Sequence, residues 1–240
     1  SGIKEVEFIG ENFLKGCTSL GKLVLPTLKA ISDEKLIAIV DDNRLVHQVL
    51  PNFLNGEDVP NLTDIDFTGF ANMRVIPEGF LNGNIAIKHV DLSALKSVCR
   101  IKDDFFADCF NLEKIKLPTM KEVSLNYKGE DITWLPQIDD NFCLNNASLG
   151  DVNFAPFANV AFIGNDFLHS VTSATEHDMN LSMKNVDMST LTHVHLIGNN
   201  FLRNIVYLES VKLPTLVDCE DATVINKKYD DQDSTMISID

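Results

Sequence analysis

Apolar residues fall along this chain in one phrase written seven times. An Ile or Val leads by four residues a phenylalanine, at Phe13, Phe53, Phe80, Phe105, Phe142, Phe167 and Phe201. After the Phe, apolar positions follow L-x-x-[VI]-x-[LF], as in Leu112, Ile115, Leu117 or Leu208, Val211, Leu213. That closing alternation is the period of a short strand with one face buried. The residue before Phe is Asn12, Asn52, Gly79, Asp104, Asn141, Asp166 or Asn200. These types accept from exposed backbone N–H groups at a helix start, which predicts a short helical turn opening at each. Two of the spacings between phenylalanines are 25 residues, and the others exceed 25 by insertions. One such unit cannot bury its apolar side alone, so the expected structure is a stack with its core along the axis and one short parallel strand per unit.

A longer period lies over the short one. Leu-Pro-Thr recurs at Leu25–Thr27, Leu117–Thr119 and Leu213–Thr215, and VDLSAL from Val90 is echoed by VDMSTL from Val186. Units therefore come in threes. The first and seventh, IGENFLKGCTSLGKLVLPTL and IGNNFLRNIVYLESVKLPTL, read alike because both open a triplet. Residues 1–8 match 191–198 and read as the tail of a preceding unit, so the chain is expected to be a portion of a longer array. Three insertions, 32–48, 124–137 and 220–238, follow the Leu-Pro-Thr units. Each has two aliphatic runs around a polar turn, which predicts three hairpins on one flank. A fourth, 172–180, reads as a polar loop. Tyr127 and Trp134 of the second insertion either anchor a partner or pack onto their own unit.

The phrases NFLKGCTSLGKLVLPTL and DFFADCFNLEKIKLPTM resemble the BspA-like leucine-rich repeat family, whose units carry aF-x-x-C-x-x-L-x-x-[IV]-x-[LI]-P. The resemblance spans residues 1–240 as a single domain, apart from the insertions. It implies a right-handed leucine-rich repeat solenoid of about seven coils, mostly β with short helical turns. It also implies a cell-surface or secreted setting and binding to other proteins or to host surfaces. The cysteine place of the phrase is kept only in Cys17 and Cys109; Asn84, Asn146 and Val171 stand there elsewhere.

Charge and chemistry narrow the function. A net charge of −15 spread along the chain repels phosphate backbones and anionic bilayers, so nucleic acid is not an expected partner. No apolar stretch is long enough to cross a bilayer, so direct membrane insertion is not expected either. The five cysteines show no C-x-x-C spacing and read as separate buried thiols; Cys17 and Cys109, three units apart, lie beyond disulfide reach. Asn61, Asn146 and Asn180 open N-x-S/T sequences, about as many as this composition yields by chance. His193 and His195, with His169, Glu176, His177 and Asp178 near them in sequence, lack a recognised zinc spacing, so no metal or cofactor is expected. No P-loop, dinucleotide fingerprint or nucleophile–base arrangement is present, and an enzyme is not expected.

Residues between the apolar strand positions must face outward in rows across neighbouring units. One row reads Lys22, Asp64, His89, Lys114, Asp151, Asn185, Ser210; the next reads Val24, Asp66, Asp91, Lys116, Asn153, Asp187, Lys212. The candidate binding residues are Asp64, Asp66, His89, Asp91, Lys114, Lys116, Asp151 and Asp187, with Tyr127 and Trp134 on the hairpin flank. They either meet a partner's charges or form a solvated face close to neutral in energy. Two functions follow. One is a non-catalytic recognition module binding a protein or surface glycan; the other is a structural spacer or array in a larger surface protein, self-associating end to end through uncapped units.

Overall fold

The computed structural model describes residues 5–10, 12–31, 48–127, 130–170 and 180–217. The expected first and third hairpins, the polar loop and Cys219 lie outside these residues, apart from Gln48 and Asn180.

The seven phenylalanines of the phrase stand in single file. Ring centroids from Phe13 through Phe53, Phe80, Phe105, Phe142 and Phe167 to Phe201 are 5.8, 5.6, 6.0, 5.0, 4.7 and 5.5 Å apart, with neighbouring planes within 20° of parallel. Such stacked pairs gain beyond their buried area. The five inner rings are buried and the two end rings half-buried, within one contiguous apolar cluster. Four more phenylalanines, Phe67, Phe70, Phe154 and Phe157, pack against the file from the far side of their units.

The described chain is β-rich, with strands numbered β1 to β15 in chain order and no α-helix among the described residues. Three two-stranded parallel ribbons pair β2 (Lys22–Val24) with β4 (Asp64–Asp66), β6 (His89–Asp91) with β8 (Lys114–Lys116), and β13 (Asn185–Asp187) with β15 (Ser210–Lys212). These are the strands expected from the alternating phrase, and the register sets Lys22 opposite Asp64, His89 opposite Lys114 and Asp91 opposite Lys116. The expected rows are not one continuous sheet. β4 and β6 are not hydrogen-bonded partners, and Asp151 and Asn153 lie in no strand. At that break the Asp151 carboxylate accepts the backbone N–H groups of Lys184 and Asn185, each at 2.8 Å, so a side chain replaces a strand carbonyl.

One strand per unit is also an undercount. The Ile that leads five of the seven Phe residues sits in a second, five-stranded parallel sheet built from β5 (Val75–Ile76), β7 (Arg100–Ile101), β11 (Gln137–Ile138), β12 (Phe162–Ile163) and β14 (Leu196–Ile197), in the order β14-β12-β11-β7-β5. The bridge Ile9 to Val49 repeats the pairing in the first two units. Both residues of β5, β7, β11 and β12 are buried, so this sheet is covered on both faces and shows no alternation in sequence. A third set of parallel contacts joins β1 (Glu5–Val6) to β3 (Thr27–Leu28), Val98 to Met120 and Val194 to Leu216. The second insertion is a hairpin as expected, with β9 (Val123–Tyr127) antiparallel to β10 (Glu130–Trp134).

The helical turns expected before each Phe do not form. Asn12, Asn52, Gly79, Asp104, Asn141, Asp166 and Asn200 have φ between 57° and 66°, in the left-handed region. Asn, Asp and Gly are the residues that enter it at least cost, so the composition that reads as a helix cap serves a different need. The residue after Phe is left-handed too, from Leu14 to Leu202, and backbone N–H groups of this turn reach both neighbours. Gly79 N–H donates to Asp103 O at 2.9 Å, Leu81 N–H to Phe53 O at 3.0 Å and Gly83 N–H to Ala107 O at 2.8 Å. Side chains add rungs: Asn141 Nδ2 donates to Asp104 Oδ1 at 2.9 Å and Asn200 Nδ2 to Asp166 Oδ1 at 2.9 Å.

Several side chains at the variable cysteine place bond to backbone. Cys109 Sγ donates to Leu81 O at 3.1 Å, and Asn146 Nδ2 donates to Phe106 O at 3.0 Å, each tying its unit to the one before. Asn84 Oδ1 accepts the N–H groups of Ala86 and Ile87, and Asn180 Oδ1 those of Ser182 and Met183. Asn180 thus takes the place that spacing alone assigns to Val171, which lies outside the described residues. Asn146 and Asn180 are buried, so two of the three N-x-S/T sequences serve the fold.

Candidate functional site

Every candidate of the strand face is exposed, and all but Lys114 are held by a local contact. Asp64 meets Lys22 across β2 and β4, Oδ2 to Nζ at 3.3 Å. Asp66, one residue past the strand centre, accepts the Thr68 backbone N–H at 2.9 Å, and hydrogen bonds from Thr68 hold its carboxyl below the usual range. Asp91 accepts the Ser93 N–H at 2.9 Å and meets Lys116 Nζ at 2.7 Å; Lys116 first, then Ser93, lower it to about 2. Asp187 repeats this arrangement with Ser189 N–H at 3.1 Å and Lys212 Nζ at 2.6 Å, and is again lowered to about 2, chiefly by Lys212. Burial alone would raise Asp151, but hydrogen bonds from Asn185 and Lys184 outweigh it and the net shift is down. Asp66, Asp91 and Asp187 are therefore ionised, turn-forming residues. Asp-x-Ser/Thr after the strand is an Asx turn at Asp66, Asp91 and Asp187, a task any short acid or Asn performs, as Asn153 does with Ala155 N–H at 3.0 Å.

His89 stands beside an acid of the neighbouring unit. Its Nε2 lies 3.4 Å from Glu113 Oε2, and Glu113 Oε1 meets Lys88 Nζ at 3.0 Å, which is the main cause that lowers the Glu113 carboxyl. Lys114 lies opposite His89 in the register. Sequence reading passed over Lys88 and Glu113 because they precede the alternating positions. The signal was present: Lys184 and Glu209 stand 96 residues further on and pair in the same way, at 3.3 Å. The face thus carries two crossed ion pairs, Lys88–Glu113 and Asp91–Lys116, and a copy of both one triplet later. Exposed pairs like these contribute little energy singly, but they fix where charge sits along the face.

Tyr127 and Trp134 belong to the hairpin rather than to this face. Trp134 is half-buried opposite Val123 at the hairpin base; Tyr127 lies opposite Glu130 near its turn, and its side chain is outside the described residues. Neither residue lies in a strand of the charged rows. Close to the hairpin's return strand lies a polar group the sequence did not announce. Arg100 and Asp139 are 9% and 2% exposed, with Arg100 Nη2 and Nε on Asp139 Oδ2 at 2.9 and 3.1 Å and Gln137 Nε2 on Oδ1 at 2.6 Å.

Among the described residues no group of three or more His, Cys, Asp or Glu is placed to hold a metal ion, and no helix is long and apolar enough to cross a membrane. His193 Nδ1 lies 3.4 Å from Ala158 O and His195 Nδ1 3.2 Å from Val217 O, so both imidazoles contact backbone carbonyls. Comparison with protein-family models, curated proteins and solved structures finds no match.

Proposed function

We propose that the chain is a non-catalytic recognition module, a leucine-rich repeat solenoid of the BspA-like kind, that binds a protein or surface glycan through its strand face and hairpin flank. The observation that carries this reading is the exposed face of charges held in register by Asx turns and cross-strand pairs. Fixed charges of both signs steer encounter and set register more than they add affinity, which suits a surface that selects a partner. Asp66, beside the exposed Val24, forms no ion pair among the described residues and offers a position for a partner's Lys or Arg. A cell-surface or secreted setting fits this role. The test compares binding of the native chain and of Asp66→Lys with Asp91→Lys to intact cells and to an immobilised glycan panel. Loss of saturable binding in the reversed chain is the expected result; equal binding by both chains excludes this face.

A second reading, a structural spacer or self-associating array, is favoured by the exposed apolar residues of the last unit, Val211, Leu213 and Leu216. Sedimentation separates the two, since an array gains mass with concentration and a monomeric binder does not.

A further inference from the structure

The first and seventh units carry the same phrase, yet their apolar faces differ. Leu25 is 4% exposed and Leu28 fully buried; the matching Leu213 and Leu216 are 63% and 45% exposed. The second unit makes the difference. Its Asp66 carbonyl accepts the Leu25 N–H at 3.3 Å, and its Thr63 and Asp64 N–H groups donate to Gly21 O at 3.0 and 3.1 Å. Its Phe53 ring stacks on Phe13, and its Asp64 meets Lys22. Among the described residues of the seventh unit, the matching groups, Leu213 N–H and Glu209 C=O, have no partner and Phe201 stacks only on Phe167.

We propose that this open face is a docking surface for one further repeat unit of the second-unit type, whose strand reads acid–apolar–acid as Asp64-Ile65-Asp66 does. An edge with unused N–H and C=O groups is a template for strand addition. The interface inside the molecule dictates what the added unit supplies. Its apolar strand residue lies on Val211, as Ile65 lies opposite Leu23. Its third strand residue gives a carbonyl to Leu213 N–H, and its strand start gives two N–H groups to Glu209 C=O. Its Phe extends the ring file beyond Phe201. The second acid comes opposite Lys212, at the place Asp66 holds opposite Val24, so that Lys212 stands between it and Asp187. Opposite charges directly across a strand pair favour this register over a basic or neutral strand.

This inference rests on the repeat reading, and the test separates the two. The whole chain is followed by a flexible Gly-Ser tether and a copy of residues 48–97, which raises the effective concentration of the added unit into the millimolar range. Native-state hydrogen exchange is then read at two amides. Slowing on the order of tenfold or more at Leu213 is expected, with a smaller gain when the tethered copy carries Asp64→Lys and Asp66→Lys. Leu25 is the internal reference. Unchanged exchange at Leu213 with Leu25 protected overturns the docking proposal alone, whereas a Leu25 amide exchanging as freely as Leu213 overturns the repeat reading beneath it. Protection at Leu213 that rises with the concentration of the untethered chain, and not with the tether, identifies a second copy as occupant and also overturns the proposal.

Discussion

Asp91 and Asp187 stand 96 residues apart and hold the same set of partners: a serine two residues on, and a lysine on the next strand at 2.7 Å for Lys116 and 2.6 Å for Lys212. The triplet period therefore repeats interactions as well as letters. It also makes the strand face acid-sensitive at two equivalent places.

The sign follows from the lowered carboxyls. Both groups fall to about 2 in the fold, from an ordinary value near 4, so their contribution is present above pH of about 4 and lost as pH falls toward about 2. Acid unfolding of the native chain is expected to steepen in that window. Asp91→Asn with Asp187→Asn should flatten it while changing stability at pH 7 only slightly, since both pairs are exposed. Urea midpoints measured from pH 7 to pH 2 check this.

The ring file predicts a graded response to truncation. Phe105, fully buried between Phe80 and Phe142, should cost about 3–5 kcal/mol as Phe105→Ala. Phe201, half-buried at the end of the file, should cost clearly less as Phe201→Ala. Equal losses in urea unfolding would contradict a single file.

The left-handed residue before each Phe gives a backbone test. At Asp104, with φ of 59° and Oδ1 accepting from Asn141, Asp104→Asn should be tolerated, while Asp104→Val should destabilise by about 1–2 kcal/mol because a β-branched side chain crowds the carbonyl in that conformation. Thermal melting of both variants decides it.

Removing one member of the buried ion pair exposes its cost. Asp139→Ala leaves the Arg100 guanidinium buried without its carboxylate and should destabilise by about 3–5 kcal/mol. Arg100→Met with Asp139→Leu should recover most of that loss, and a double variant as unstable as the single one would show that the pair's attraction itself is required.

What could be read in the sequence was what a period records. The phenylalanine file and the pairings of Lys22 with Asp64 and Asp91 with Lys116 follow from a phrase repeated often enough to fix register. The hairpin at β9 and β10 follows from two runs around a turn. The five-stranded sheet stayed hidden because Val75–Ile76 and its neighbours are two residues long and buried on both faces, which leaves nothing to alternate. Asn141 and Asp104 were misread because a helix cap and a left-handed turn favour the same short polar side chains. Arg100 and Asp139, in different units, look like ordinary surface charges until folding sets one beside the other. On the strand face, Glu113 precedes the outward strand positions, so its repetition as Glu209 is the one mark it leaves in the sequence.

The distance between the two ends of the outward row tests the account most directly. Val24 and Lys212 occupy the same strand position in the first and seventh units, six rungs apart, and both are exposed. With Cys17→Ser, Cys219→Ser and spin labels at Val24→Cys and Lys212→Cys, six steps of the parallel strand spacing predict a single separation of about 29 Å between backbones. A separation below about 20 Å, or a broad spread without a peak, would mean that the units do not stack one per rung.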